Sequence, residues 1–253
     1  MSHENKEYLK IGRASELKGS DRTLYRALEI LPGALAWGTL LLLILSSAFF
    51  PTFSAYFIII FSIYWILKTV YLSVHLRHNW LRLKHNMALN WSVMLSHMKY
   101  EHIRHLILLP YYNESYEVIE KSIQALIATH YDKKAILVVL AGEERAGEEA
   151  KISGEKIQAL YKDKFGAFIL TTHPKDIPGE MPGKGSNIAY AAEEARLRVL
   201  DPMNLSYEEV VVSAFDIDSV AYPDYFNCLT WNFLVTPDPL KVSFQPVPFY
   251  NNN

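Results

Sequence analysis

The stretch Val210-Val211-Val212-Ser213-Ala214-Phe215-Asp216-Ile217-Asp218-Ser219 decides how this chain is read. It begins with residues suited to a buried strand and ends in two carboxylates one residue apart. Alternate side chains of a strand face the same way, so Asp216 and Asp218 are expected on one side, where the strand leaves its sheet. A pair of hard oxygen ligands there suits Mg2+ or Mn2+ carrying a phosphate-bearing substrate. Asp-x-Asp is a short motif, and a solvated acidic loop would show the same residues. The surrounding pattern chooses between the two.

Upstream, the chain alternates. Residues 106–109, 135–140 and 168–171 are expected as three short apolar strands, with 210–215 as the fourth. After the first, a helix capped by Ser115 runs to about residue 129, with Ile119, Ile123, Leu126 and Ile127 on one face. Further helices are expected over 150–161 and, rich in alanine, over 186–200. Segment 174–185 holds three prolines and three glycines and reads as a mobile loop ahead of the last of these. Strands alternating with helices predict an α/β fold with a mostly parallel sheet covered by helices. Ligands then sit beyond the carboxyl ends of the strands.

A different pattern precedes the alternation. No charged side chain occurs over 30–50 or over 51–67, and a bilayer takes about 20 apolar residues to cross. Two transmembrane helices are expected, broken at Pro51-Thr52-Phe53, with Trp37, Tyr56, Tyr64, Trp65 and Tyr71 as interfacial anchors. Lys6, Lys10, Arg13, Lys18, Arg22 and Arg26 precede the spans, and Lys68, Arg77, Arg82 and Lys84 follow them. The excess of basic residues at the two ends places both in the cytoplasm, in a multi-pass protein of the inner or plasma membrane. Trp80, Leu83, Met87, Trp91 and Met94 recur at helical spacing and predict an amphipathic helix at the membrane surface. His75, His78 and His85 read there as interfacial side chains rather than metal ligands. The expected division is a cytoplasmic segment 1–29, two spans within 30–74, an interfacial helix or linker 75–102, and the α/β domain 103–253.

Composition narrows the function. A net charge of −2 gives no support for a nucleic-acid partner. The single cysteine, Cys228, excludes an internal disulfide and a cysteine-rich zinc site, and its apolar neighbours make it a packing residue.

The polar residues gather where the strands end. Pro110-Tyr111-Tyr112-Asn113-Glu114 closes the first strand, and Glu143 and Glu144 follow the second. Gly183-Lys184-Gly185-Ser186-Asn187 opens the alanine-rich helix. This last run lacks the glycine spacing and the Ser or Thr after lysine of a Walker A loop. It still offers a lysine and free backbone N–H groups near a helix N-terminus, which suit an anion.

Taken in order, Pro-x-Tyr-Asn-Glu, Gly-Lys-Gly-x-Asn and Asp-x-Asp resemble the family 2 glycosyltransferases of GT-A fold. The membrane-bound processive type, which includes cellulose synthase, is the most similar. The resemblance covers residue 103 to the C-terminus. It implies a Rossmann-like GT-A domain, incomplete at its C-terminal end, binding a nucleotide-diphosphate sugar, foremost a UDP-sugar. Pro110, Tyr112 and Glu114 would border the nucleotide. Glu143 or Glu144 would stand where the family has an aspartate that contacts the base. Lys184 and Asn187 would lie against the donor, and Asp216 and Asp218 would hold Mg2+ or Mn2+ on the diphosphate. The family's later acidic base and its Gln-x-x-Arg-Trp segment do not occur, and Asp224 and Asp238 lie too near to replace the base. The chain is therefore expected to be the donor half of an active site, cut short.

Two functions from different classes follow. One is a membrane-anchored glycosyltransferase that moves a sugar to a glycan or lipid acceptor, metal-assisted and with inversion. The other is a non-catalytic membrane module that binds a sugar nucleotide or a partner synthase. A nucleotidyltransferase on a similar sheet accounts for fewer of the motifs.

Overall fold

A computed structural model describes residues 17–177 and 180–247. The chain divides between Leu89 and Asn90 into two compact units.

The first unit is a helical hairpin of α1 (Gly19–Phe49) and α2 (Pro51–Ala88). Pro51 takes the first turn of α2, where its missing N–H costs nothing. The Phe50 N–H donates to the Ser46 carbonyl at 2.6 Å. Beside the turn the Ser46 and Ser54 hydroxyls bond at 2.8 Å. Each helix carries an apolar window, of mean hydropathy 2.0 and 1.9, that is entirely unburied, so both are long and apolar enough to cross a membrane. Lys6, Lys10 and Arg13 lie outside the described residues.

The segment expected as a separate interfacial helix is divided. Residues through Ala88 continue α2, and α3 (Trp91–Ser96) belongs to the second unit. Asn90 starts α3, its Oδ1 accepting the Val93 N–H at 3.1 Å. Trp91 is 5% and Leu95 1% exposed, and the Trp91 ring lies 5.5 Å from that of Trp231 on α7 (Tyr225–Val235). These two residues are core, not interface.

The second unit is α/β. Strands β1 (Arg104–Pro110), β2 (Ile136–Glu143), β3 (Ala167–His173) and β4 (Val210–Ala214) form an all-parallel sheet in the order β3-β2-β1-β4. Ile107 pairs with Val138 on one side and Ser213 on the other. Both faces of β1 and β2 are covered, which explains their unbroken apolar sequence. Ile107, Leu109, Val138 and Leu140 pack under α4 (Tyr116–Ala128), α5 (Glu148–Tyr161) and Phe226 of α7. Leu106, Leu108, Leu137 and Val139 pack under Ala191 and Ala195 of α6 (Lys184–Ala195) and the π turn Arg196–Leu200. The small alanines let α6 sit close to the sheet.

The strand order fixes where a ligand goes. The chain moves outward from β1 through β2 to β3, then returns to lay β4 on the far side of β1. Connections therefore diverge between β1 and β4, and a crevice opens beyond the carboxyl ends of those two strands.

Candidate functional site

A cavity of about 300 Å³ lies at that crevice. Its walls are Pro110, Tyr111, Tyr112 and Glu114 after β1, Glu143 after β2, Lys184 and Asn187 on α6, and Asp216, Ile217 and Asp218 after β4. Of the residues given a donor-side or metal-binding role by the resemblance, Glu144 alone does not line it. Its carboxylate accepts the Lys175 N–H at 3.0 Å, across the loop that follows β3.

The acidic pair is built differently from the expectation. β4 ends at Ala214, and Asp216 and Asp218 sit on a turn closed by the Ser219 N–H donating to the Asp216 carbonyl at 2.9 Å. Strand alternation is not what aligns them. Ile217 is 4% exposed and plugs the core, and its carbonyl accepts the Ser122 hydroxyl of α4. Pinning the middle residue inward leaves both flanking carboxylates exposed. Asp216 forms an ion pair with Lys184. A screened pair of this kind contributes little to stability, so Asp216 can exchange lysine for another cation at small cost.

The β1 side is a compact loop. The Tyr112 N–H donates to a Glu114 carboxylate oxygen at 2.6 Å. The Arg145 guanidinium lies 5.0 Å from the Tyr112 ring centroid and pairs with Glu143, which is 8% exposed. Glu143 thus faces the cavity as a buried, paired carboxylate, which separates it from Glu144. It also lines a second cavity of about 180 Å³ with His173, Lys175 and Glu180.

Tyr111 supports the loop from beneath. Its hydroxyl donates to the Ala150 carbonyl at 3.2 Å. Burial, with Glu155 adding to it, pushes the phenol up to about 12. The ring occupies space that two glycines leave open. A Cβ on Gly142 would come within 2.8 Å of the Tyr111 oxygen, and one on Gly154 would come closer still.

On α6, Asn187 is 1% exposed and donates through Nδ2 to the Ala141 carbonyl at 2.8 Å. That carbonyl only accepts, so the amide orientation is fixed and Oδ1 is turned away, buried and without a protein partner among the described residues. The N–H groups of the first turn of α6 point outward beside Lys184, as at any helix start.

Among the described residues no cluster of three or more His, Cys, Asp or Glu side chains could hold a metal by itself. Asp216 and Asp218 supply two hard oxygens, which fit Mg2+ or Mn2+ only when the remaining ligands come from phosphate and water. Sequence reasoning missed Tyr111, Ile217 and Arg145. Tyr111 lay inside a quoted motif but looks identical in type to Tyr112. Arg145 carries no periodic signal.

No family model matches the chain, and no curated protein matches it significantly.

Proposed function

We propose that the chain is a membrane-anchored glycosyltransferase of GT-A type, facing the cytoplasm. It would take a nucleotide-diphosphate sugar, foremost a UDP-sugar, and transfer the sugar to a glycan or lipid acceptor. The observation that carries this reading is the convergence of eight motif residues from four separate segments on the β1/β4 cavity. In transfer with inversion, an acceptor hydroxyl oxygen attacks the anomeric carbon as the bond to the diphosphate breaks. The nucleoside diphosphate leaves with an added negative charge, and the hydroxyl proton passes to a base. Asp216 and Asp218 would hold a divalent cation, which would supply charge neutralisation to the leaving diphosphate. Lys184 and the α6 N–H groups stabilise that same charge, acting most strongly as it develops. Tyr112, with the Arg145 guanidinium near its ring, stands at the cavity with Glu143 as an aromatic surface for a base. The unpartnered Asn187 Oδ1 is an acceptor at the cavity wall.

A second reading, a sugar-nucleotide-binding module without transfer, is favoured by the acids after Asp218. Asp224 is tied to His130, Asn227 and Ser92, and Asp238 to Lys241. Neither lines the cavity. The test common to both readings is calorimetry of UDP with Mn2+ on the full chain. Asp218→Asn is expected to abolish the metal-dependent heat. Unchanged binding by the variant would sink the assignment.

A further inference from the structure

The part of α2 beyond its apolar stretch carries charges that the cavity and its chemistry do not use. Between residues 30 and 100 the sequence has no Asp or Glu, yet Lys68, Arg77, Arg82, Lys84 and Lys99 fall within it. Burial in lipid accounts for missing acids up to residue 67 but not for the rest. His75, Arg77, His78, Arg82, Lys84 and His85 are all exposed on α2.

Helix geometry sets their height if the hairpin spans a bilayer. At 1.5 Å per residue, a hydrocarbon layer about 30 Å thick takes up roughly the first 20 residues of α2. The headgroup layer on that side adds about 5–8 Å, which ends at about the level of His75. Arg77 stands about 3 Å above His75 and Arg82 about 10 Å, which is about one Debye length. Side chains on a helix lean toward its N-terminus, and α2 runs out of the membrane, so these side chains lean back onto it. Two lysines display that lean. Lys68 Nζ lies 4.7 Å from the Trp65 ring centroid and Lys84 Nζ 5.2 Å from that of Trp80, each about a turn back.

We infer that α2 binds anionic phospholipid headgroups where it leaves the membrane, with Arg77 and Arg82 as the principal cations. The lipid is the occupant because these charges continue the spanning segment directly and point back along it. No acid on the same helix competes for them. The inference rests on the hairpin spanning a membrane and is independent of sugar transfer.

The test reconstitutes the full chain into nanodiscs of equal parts phosphatidylcholine and phosphatidylglycerol, then weighs the released protein with its retained lipids by native mass spectrometry. Preferential retention of phosphatidylglycerol is expected. Arg77→Gln with Arg82→Gln should lower the preference about fivefold per cation removed, which is ~1 kcal/mol each near an anionic surface. Arg77→Lys with Arg82→Lys, which keeps the charge on the same exposed positions, should preserve it. Equal retention of the two lipids by the unaltered chain would overturn the inference, and is the result expected if an acidic protein surface covers these cations instead. An undiminished preference in the glutamine variant would overturn it too. A chain that fails to enter nanodiscs would remove its premise.

Discussion

Among the described residues before Asn90, the buried side chains are those of Ser46 and Ser54, while Leu42, Ile44, Phe57 and Ile60 stand exposed. From Trp91 onward the pattern reverses, and Ile107, Leu137, Ile123 and Phe226 are all fully buried. The sheet unit makes its own apolar interior. The hairpin buries no large apolar side chain among the described residues, and a hydroxyl–hydroxyl bond joins its two helices. In hydrocarbon, helices gain little from burying leucine against leucine, and small polar residues hold them together. The contrast is the one expected if the hairpin sits in hydrocarbon and the sheet unit in water.

Substituting the same residue type in the two regions sharpens this contrast most. Leu137→Ala, in the centre of the sheet, is expected to cost about 2–5 kcal/mol. Leu42→Ala, on the outside of α1, should change the stability of the sheet unit by less than about 0.5 kcal/mol. Urea titration of both full-length variants, read by near-ultraviolet circular dichroism, measures the difference. Similar losses would break the comparison.

Acid should attack only the sheet unit. His105 on β1 is fully buried, bonded through Nε2 to the Thr230 hydroxyl at 2.8 Å and packed against Tyr131 and Phe226. Burial lowers its pKa from 6.5 to about 3. The folded imidazole stays neutral where the unfolded one binds a proton, so protonation favours unfolding. Stability is fully present above about pH 6.5 and falls by about 1.4 kcal/mol per pH unit toward pH 3. His105→Gln should flatten the acid limb in the same urea titration. An unaltered acid limb would show that other groups carry it.

The smallest effect belongs to the hairpin. Ser46→Ala removes the Ser46–Ser54 bond, and interhelical bonds of this kind average about 0.6 kcal/mol in membranes. Unfolding of the hairpin in mixed micelles should shift by that amount, whereas a loss of several kcal/mol would mean that the serines carry more than one contact.

Much of the sheet unit was legible in the sequence, for reasons that these residues display. β1 and β2 are covered on both faces, so their apolar runs were unambiguous. Strand ends in a parallel sheet collect the polar residues, so Glu114, Lys184, Asp216 and Asp218 stood out from the pattern, while Pro110, Tyr112 and Asn187 were named through the motif resemblance. The means of aligning Asp216 with Asp218 was not legible, because it depends on Ile217 entering a core assembled from distant segments and on Ser122 reaching its carbonyl. Nor was the choice of Glu143 over Glu144, which Arg145 makes in three dimensions. The division near residue 90 was not legible, because no Pro or Gly marks it and an apolar helical period does not say which surface Trp91 meets. Asn90, a good N-cap, was the available signal.

The measurement that tests the central proposal most directly is release of UDP from UDP-sugars by the full chain in its membrane, with Mn2+ and without. The account predicts metal-dependent release that Asp218→Asn abolishes, with Lys184→Ala reducing it strongly. Release that persists undiminished in Asp218→Asn, or an unaltered chain that binds donor tightly and releases none, would contradict it.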